Sequence, residues 1–347
     1  MDPLATLMAA TLVRVGLADG AREIAFGVAS ASLLVDATGA TASIRAGEVW
    51  WARPDGNMLV ISLATVSETV SVGVGVAVGV AVSAPASASA SASGSAAGSA
   101  TAPYSASATA AVPTSASISA AATATAHTLS PPVRLIPNPA TPVFIGKKWY
   151  RGALELRLSP EGRVTAVNEL PLDEYLFGVV PGEMPPTWPP EGLKAQAVAA
   201  RTYTASRLGS RRDRGYDVKP TVEDQVYGGL SIEATASTRA VAESAGLILV
   251  YGGAPINAFY CAGAGGFTEG AESVQGFERK EPGKRPGGYP YLMPVPDFDW
   301  DSPRWHWQVG LAESDLRAKL ARKGVSVGPI RSVEITERTY SGRARWV

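Results

Sequence analysis

Glu183 is the residue of this sequence whose surroundings best suit acid catalysis. It lies in a proline-containing loop with Met184 and Trp188, and an alanine-rich segment follows directly. Apolar surroundings disfavour the charged form of a carboxyl group, and a carboxylic acid that stays protonated can give its proton to a leaving oxygen. Taken alone, the loop still favours a solvated surface glutamate, because most glutamates in proteins are exposed.

The elements on either side of this loop must hold it in place. Residues that precede a proline avoid the helical conformation, so Met184 and Trp188 should be extended. Pro190 suits the first turn of a helix, where its missing N–H is not needed. We therefore predict a helix over Leu193–Leu208 that begins near Pro190 and is capped by Gly209.

The rest of the pattern predicts an α+β fold, with mixed β-strands and a few helices. Alternating apolar residues predict strands at Leu12–Leu17, Glu23–Val28, Val49–Trp51, Met58–Leu63, Val143–Ile145, Tyr150, Leu154–Leu158, Val164–Val167, Leu247–Tyr251, Ile256–Tyr260 and Ser332–Thr336. Further helices are predicted where Asp173 and Glu174 open a short segment, and over Ser231–Ser244 and Glu313–Lys323.

Composition divides the chain into three parts. Residues 1–70 form a β-rich segment, residues 71–132 are dominated by Val/Gly/Ala and Ala/Ser/Thr repeats, and residues 133–347 have a globular composition. Small side chains cannot bury enough apolar area to offset the ordering of the backbone. We therefore expect residues 71–132 to be a long flexible linker or insertion.

Two runs around Glu183 carry a family resemblance. They are LPLDEYLFGVVPGEMP at residues 170–185 and LKAQAVAARTY at residues 193–203. Further segments follow in the same order, at Asp224–Gly229, Ala240–Val241, Gly246–Tyr251, Ala254–Ala258, Gly265–Glu269, Tyr291–Leu292, Asp297 and Ser302–Pro303. Together they resemble the SpoIID/LytB domain from about Val133 to the C-terminus. Relatives appear longer beyond Trp346–Val347, so the resemblance predicts a domain truncated at that end.

The resemblance implies an activity on the bacterial cell wall. SpoIID-like proteins are lytic transglycosylases that cut peptidoglycan glycan strands, in endospore formers during engulfment, whereas the LytB branch is described as an enhancer of a separate amidase. The glutamate of the Glu-Met-Pro motif is the catalytic residue of the family, which corresponds to Glu183 here. The implied partners are glycan strands. A cell-wall amidase or proteins of the engulfment complex are implied as further partners.

One carboxyl group is sufficient for this chemistry. Most glycoside hydrolases need a second carboxylate to act as nucleophile or to activate water. In a lytic transglycosylase, Glu183 would protonate the glycosidic oxygen and then take the proton of the C6 hydroxyl of the same sugar, which closes a 1,6-anhydro ring. Intramolecular attack has an entropic advantage over attack by water. No metal or cofactor is required, and none is predicted.

Other polar and glycine residues are candidates for substrate binding, each with a structural alternative. Asp173 and Glu174 are expected to complement a helix dipole rather than to act in catalysis. The candidates are Gln196, Arg201 and Tyr203, which either contact sugar or brace the loop; Asp224, Gln225 and Tyr227, which either line a groove or form an ordinary turn; and Gly265, Gly266 and Thr268, which either admit a ligand or form a tight turn.

Several other classes of protein find no support in the sequence. The chain has 347 residues and a formal net charge of zero, and its only basic cluster, Arg211–Arg214, is too short to follow a nucleic acid backbone. Gly263–Gly266 lacks the lysine of a phosphate-binding loop. Cys261, His127 and His306 do not have the spacing of a zinc site, so we predict no metal.

The resemblance implies an extracytoplasmic location in the cell envelope. The start of the sequence, MDPLATLM, carries an acidic residue and no early Lys or Arg, which makes it a poor signal peptide. We therefore expect either a start further upstream or an unusual route of export.

Overall fold

A computed structural model of the chain describes residues 11–64, 125–138, 141–274, 289–302 and 305–347. These residues divide into two units, one that ends at Ala258 and one that begins at Phe259. Most of the segment that composition predicts to be a flexible insertion, residues 71–124, lies outside the described residues.

Two six-stranded antiparallel sheets make up most of the first unit. Their strands are β1 Leu12–Ala21, β2 Ile24–Val28, β3 Ser32–Val35, β4 Thr41–Ile44, β5 Val49–Asp55, β6 Met58–Leu63, β7 Ala126–Leu129, β8 Val133–Ile136, β9 Val143–Ile145, β10 Lys148–Tyr150, β11 Ala153–Leu158 and β12 Val164–Pro171. The order is β1-β12-β11-β8-β3-β4 in one sheet and β10-β9-β2-β5-β6-β7 in the other. Residues 12–63 and 126–171 thus contribute strands to both sheets.

The strands predicted between residues 12 and 63 and between residues 143 and 167 are confirmed, but β3, β4 and β8 were missed. All three have only four residues, and β3 and β4 pair directly with each other. The turn between them is organised by Asp36, whose carboxylate accepts the N–H groups of Thr38 at 2.8 Å and Ala40 at 2.9 Å. Strand β7 lies within the range that composition assigned to the insertion.

Strand β12 leads into the helices that carry Glu183. It pairs with β1 on one side and with β11 on the other, and Val164–Asn168 are all buried. A strand that is buried on both faces needs every polar group to be paired. Asn168 meets this need, because its amide donates to the carbonyl oxygens of Arg151 at 2.8 Å and Ala153 at 3.0 Å.

Four helices follow β12 in the first unit: α1 Leu172–Phe177, α2 Val180–Glu183, α3 Pro190–Arg207 and α4 Thr235–Glu243. The long predicted helix is confirmed as α3. It starts at Pro190, after an extended Pro189, and Gly209 beyond its end has a φ of +73°. Asp173 and Glu174 lie in the first turn of α1, as predicted.

The helix predicted over Ser231–Ser244 is broken near its start. A 3-10 helix covers Gly229–Ile232, and α4 begins only at Thr235, because Glu233 and Ala234 are extended. The Glu233 carboxylate pairs with the Arg151 guanidinium through bonds of 2.7 and 2.8 Å. This bidentate pair holds Glu233 against β10 and β11 and so interrupts the helix.

The two strands predicted around Gly252 are shorter than expected. Only Val250–Tyr251 (β13) and Ala254–Pro255 (β14) pair. One further backbone bond continues beyond these pairs, from the N–H of Ile256 to the carbonyl of Leu249 at 3.1 Å.

The second unit contains one helix and a short strand pair among its described residues. Helix α5, Glu313–Arg322, matches the predicted helix, and Gly324 follows it with a φ of +80°. The strand predicted over Ser332–Thr336 is wrong, since the paired residues are Glu337–Arg338 (β15) and Ala344–Trp346 (β16).

The described residues therefore confirm the predicted α+β class, with strands and a small number of helices. No helix in the described ranges has the length and apolar character needed to span a lipid bilayer.

Candidate functional site

Glu183 is the last residue of α2, directly before the backbone turns to an extended conformation at Met184. Its side chain is half-buried. The carboxyl Oε1 accepts the backbone N–H of Val226 at 2.7 Å. Among the described residues, no salt bridge reaches this carboxyl group, and Oε2 has no hydrogen-bond donor. One oxygen of the carboxyl group is thus fixed by a hydrogen bond, and no cation of the described residues compensates the negative charge.

Glycines allow the loop that supplies Val226 to lie against α1 and α2. A Cβ placed on Gly178 would lie 2.6 Å from Cε2 of Tyr227, and one on Gly182 would lie 3.1 Å from the carbonyl oxygen of Val226. The N–H of Gly228 donates to the carbonyl of Gly178 at 3.0 Å. A side chain at either glycine would push the loop away from Glu183.

Gln225 ties the loop Asp224–Gly228, called the Val226 loop from here on, to the helices that pack against it. Its Oε1 accepts the hydroxyls of Thr204 at 2.7 Å and Tyr175 at 3.2 Å, and its Nε2 donates to the carbonyl of Ala200 at 3.3 Å. The residue has 0% exposure. Its amide is therefore used within the protein, to tie the loop to α1 and α3.

Asp224 and Tyr203 form a second attachment of the same loop. The Tyr203 hydroxyl donates to Oδ1 of Asp224 at 2.9 Å, and Oδ2 accepts the N–H of Lys219 at 2.8 Å and pairs with Arg211 at 2.9 Å. Burial raises the pKa of Tyr203, and the charge of Asp224 adds to the effect. The Tyr203 hydroxyl therefore remains a proton donor across the physiological range.

The side chain of Tyr227, a residue of the same loop, is buried. Its hydroxyl donates to Oδ1 of Asn168 at 3.1 Å, and its ring centroid lies 4.9 Å from that of Tyr175 and 5.5 Å from that of Tyr150. Burial raises the pKa of Tyr227 well above its ordinary value. The side chain anchors the loop in the core rather than facing a groove.

Arg201 is 1% exposed and braces three segments of the fold. Its Nε donates to Asp173 at 2.9 Å, and its other nitrogens donate to the carbonyls of Val241 at 3.0 Å and Ser244 at 2.8 Å. These bonds join α1, α3 and the end of α4. Of the two roles that the sequence left open for Arg201, the contacts correspond to bracing.

Gln196 differs from these residues because its amide is unpaired. It lies on α3 and is 8% exposed. Within the described parts of the chain, no acceptor reaches its Nε2 atom.

Glu174 is another half-buried carboxyl group of this region. Burial raises its pKa, while attraction to Arg151 opposes this rise and repulsion from Glu233 adds to it. Its position in the first turn of α1 agrees with the structural role expected from the sequence.

Gly265, Gly266 and Thr268 lie in the second unit. The carboxylate of Asp299 accepts the N–H groups of Gly265 at 2.9 Å and Gly266 at 3.0 Å, and Thr268 exchanges backbone and side-chain hydrogen bonds with Val295. Burial acts to raise the pKa of Asp299, but donation from these N–H groups outweighs it and lowers the pKa. Both glycines have positive φ, as a tight turn requires.

The residues that were weighed as metal ligands belong to different units, His127 to the first and Cys261 and His306 to the second. His127 lies in β7 with its ring centroid 5.7 Å from that of Trp50, while His306 in the second unit contacts Trp305. Cys261 is exposed. In the described ranges, no group of three His, Cys, Asp or Glu side chains is arranged to hold a metal ion.

The sequence did not identify the contribution of Val226. A backbone N–H is present in nearly every residue, so no residue type marks it. Asn168 was also missed, although an asparagine within an apolar strand is unusual and can indicate a specific hydrogen-bonding role.

Comparison with known proteins finds a family match around this site. Residues 160–251 match the family model described as stage II sporulation protein, SpoIID. This range contains Glu183, the Val226 loop and all of α1 to α4. The resemblance to the SpoIID/LytB family that the sequence carries is thus confirmed.

Individual relatives agree with the family match. The chain is 34% identical over 174 residues to the stage II sporulation protein D of Bacillus subtilis, which covers 46% of this chain and 48% of that one. It is 35% identical over 144 residues to the amidase enhancer of Bacillus subtilis, with 42% and 18% covered. It is also 35% identical over 179 residues to an uncharacterized protein of Brachyspira hyodysenteriae, with 51% and 46% covered. The chain thus spans less than half the length of these relatives.

Proposed function

We propose that this protein acts on the cell wall as a lytic transglycosylase of the SpoIID type, with Glu183 as its acid and base. The observation that carries the proposal is the state of the Glu183 carboxyl group. One of its oxygens is held at 2.7 Å by a backbone N–H, and no cation compensates it among the described residues. A half-buried carboxyl group in this state is suited to exchange protons with a bound substrate.

The reaction needs two proton transfers through the same group. Oε1 accepts the N–H of Val226, so the proton of the neutral acid is carried by Oε2. Oε2 gives this proton to the glycosidic oxygen while the bond between that oxygen and C1 breaks. The carboxylate then removes the proton of the C6 hydroxyl, and O6 bonds to C1. The products are a 1,6-anhydro end and a new hydroxyl end, and no water is consumed.

The other acidic residues of this region support a mechanism with one carboxyl group. Asp173 is paired with Arg201, Asp224 with Arg211, and Glu233 with Arg151. A carboxylate that is committed to a buried or partly buried cation is a poor nucleophile or base. These pairs occupy three of the acidic side chains near Glu183, while one oxygen of Glu183 accepts no bond among the described residues.

The alternative is a wall-binding protein that stimulates an amidase without cutting glycan. The observation that favours it is the similarity to a relative that is named an amidase enhancer. In that case the Val226 loop would shape a binding surface, and Glu183 would be one of its contacts.

The location and partners follow from the proposed activity. The protein would act in the cell envelope on peptidoglycan glycan strands, with a wall amidase or engulfment proteins as further partners, and sporulation is the process that the relatives' names suggest.

Digestion of purified peptidoglycan separates the two functions. The parent protein should release fragments with 1,6-anhydro ends, and Glu183→Gln should abolish release while the protein stays folded. Glu191→Gln is the matched control, because Glu191 is an exposed glutamate in the first turn of α3 that pairs with Lys194. Equal cutting by Glu183→Gln would refute the transglycosylase. If neither protein cuts and both accelerate an added amidase, the enhancer function is supported instead.

A further inference from the structure

We infer that the ion pair between Arg151 and Glu233 positions the carboxyl group of Glu183. The pair acts through Ile232, which packs between the segment that carries Glu183 and the loop that carries Val226. The effect of the pair on glycan cleavage rests on the proposed function, whereas its effect on the N–H of Val226 does not.

The ion pair has the geometry of a strong interaction. Nε of Arg151 donates to one carboxylate oxygen of Glu233 at 2.7 Å, and Nη2 donates to the other at 2.8 Å. The Glu233 side chain is 15% exposed and the Arg151 side chain is 36% exposed. A pair with two bonds fixes orientation as well as distance, and partial burial protects it from the screening that weakens surface pairs. Glu233 therefore has a defined position relative to Arg151.

Arg151 is itself held by β12. It lies in the two-residue connection between β10 and β11, and its carbonyl accepts the amide of Asn168 at 2.8 Å. The next residue, Gly152, has a φ of +76°, and a Cβ there would clash with the carbonyl oxygen of Glu169. The guanidinium lies over the ring of Phe177, the last residue of α1, at 5.7 Å from the ring centroid. These contacts leave the guanidinium little freedom, so the pair ties its partner to the sheet.

Ile232 is the residue through which Glu233 reaches the candidate site. It ends the 3-10 helix Gly229–Ile232, directly before Glu233. A Cβ on Gly182 would lie 3.2 Å from Cδ1 of Ile232, and a Cβ on Gly228 would lie 2.5 Å from the same atom. The side chain of Ile232 therefore packs against both glycine positions at once.

The two glycines lie beside the hydrogen bond that holds Glu183. Gly182 directly precedes Glu183, and Gly228 comes two residues after Val226. The N–H of Val226 donates to Oε1 of Glu183 at 2.7 Å. A shift of Ile232 would change the separation of the two backbone segments, and a hydrogen bond weakens steeply as it lengthens or bends. The ion pair thus determines how well this bond is made.

The charges around the pair predict unequal effects of its two members. Glu174 is attracted to Arg151 and repelled by Glu233. Arg151→Met would leave the two carboxylates without the cation that attracts both, and their repulsion would push Glu233 away from β10 and β11. Glu233→Gln removes the repulsion together with the attraction and keeps one acceptor. Arg151→Met should therefore disturb the bond to Glu183 more than Glu233→Gln does.

Hydrogen exchange of the Val226 amide, followed by NMR in the full chain, measures this bond directly. Exchange should be about 3- to 10-fold faster in Glu233→Gln and more than about 10-fold faster in Arg151→Met than in the parent protein. Arg151→Lys keeps the charge but not the fork of two donors, so its rate should lie between those of the parent and Arg151→Met. The double variant should be no faster than Arg151→Met, because the two residues act as one pair.

Two controls separate positioning from a general loss of stability. The amides of β5, in the other sheet from β11 and β12, should exchange in each variant as they do in the parent. Glu23→Gln breaks a second Arg–Glu pair, which joins Arg53 to Glu23 at 2.7 Å and is 40% and 45% exposed. This variant should leave both the exchange of the Val226 amide and glycan cleavage unchanged.

Cleavage of soluble glycan strands gives the functional measurement. In Glu233→Gln, kcat should fall by about 3- to 10-fold while KM changes less, because a displaced acid lowers the rate of the chemical step. A higher KM with unchanged kcat and unchanged exchange would mean that the pair contacts glycan instead, which refutes the positioning role.

The exchange rates decide the positioning role even if the protein does not cut. The role is refuted if the Val226 amide exchanges at the parent rate in Glu233→Gln, or if its exchange accelerates only together with that of β5. Glu233→Gln preserves the size of the side chain, so it gives this answer even if Arg151→Met does not fold. If the exchange pattern is found but the parent never cuts peptidoglycan, the positioning of Glu183 stands and the transglycosylase proposal fails.

Discussion

The backbone N–H of Val226 donates to the carboxyl Oε1 of Glu183 over 2.7 Å, and this bond joins two segments that are 43 residues apart in the sequence. The position of Glu183 therefore depends on the loop that carries Val226. That loop is fixed by Gln225 and Tyr227, which are both buried.

Replacement of Gln225 should damage both stability and activity. Gln225→Ala removes buried hydrogen bonds to Thr204, Tyr175 and Ala200. We expect the free energy of unfolding to fall by about 2–4 kcal/mol, from the lost bonds and the cavity together. Denaturant unfolding measures this loss. Among molecules that remain folded, kcat for glycan cleavage should fall more than KM rises, because Glu183 loses its support. An unchanged kcat would contradict the positioning role.

Substitution of Arg201 should lower the free energy of unfolding far more than substitution of its partner Asp173. Arg201 is almost fully buried and donates to Asp173 and to the carbonyls of Val241, Ser244 and Leu247, whereas the Asp173 side chain is 30% exposed. Arg201→Met leaves buried carbonyls without a donor and should cost about 3–5 kcal/mol of unfolding free energy. Asp173→Asn keeps one acceptor for the guanidinium and should cost about 1 kcal/mol. Equal losses in urea unfolding would show that the carboxylate, not the carbonyl contacts, dominates.

The helix after the Glu183 loop could be predicted because its signals are local. Pro190 marks its first turn, Gly209 marks its end, and the residues between are good helix formers. The break before α4 could not be predicted, because it depends on Arg151, which is 82 residues away from its partner Glu233. Pairings at such separations are decided by the tertiary fold and leave no periodic signal.

The candidate site likewise could be predicted only where the signals are local. Glu183 and the residues around it were found from their types and from the family motif. Tyr227 and Asp224 were identified as possible groove residues, but their orientation toward the core depends on Asn168 and Arg211, which no local pattern links to them. Gln196 and Gln225 have identical side chains, and only the fold shows that one amide is paired and the other is not.

Stability in acid should depend on Asp36. The N–H of Ser130, the hydroxyl and N–H of Thr38 and the N–H of Ala40 bind its carboxylate, and these bonds lower the pKa of Asp36 from 3.8 to about 2. A group whose pKa is lower in the folded state stabilises the fold above its unfolded pKa, and this stability is lost as pH falls through the folded pKa. Unfolding free energy should therefore decline between about pH 4 and pH 2.

Asp36→Asn is the variant that tests this dependence. It removes the ionisable group but keeps one carbonyl acceptor, so the variant should be less stable than the parent at pH 7, and the difference should shrink toward pH 2. Urea unfolding followed across this pH range makes the comparison. A difference that stays constant with pH would show that Asp36 does not titrate between these limits.

The segment between β6 and β7 should be removable without loss of the fold. Strands β6 and β7 pair antiparallel, with Ser62 opposite Ala126, and the N–H of Leu63 donates to the carbonyl of Thr125 at 3.1 Å. Leu63 and Thr125 therefore lie side by side, and a short Asn-Gly turn can join the two strands. Closing a shorter loop costs less entropy, so the free energy of unfolding should stay the same or rise by up to about 2 kcal/mol. Thermal unfolding and digestion of peptidoglycan should both be measured on the shortened protein, with the intact chain as the control. Retained folding with lost cutting would assign residues 65–124 a part in activity, whereas loss of folding would show that the sheets need this segment and would contradict the prediction.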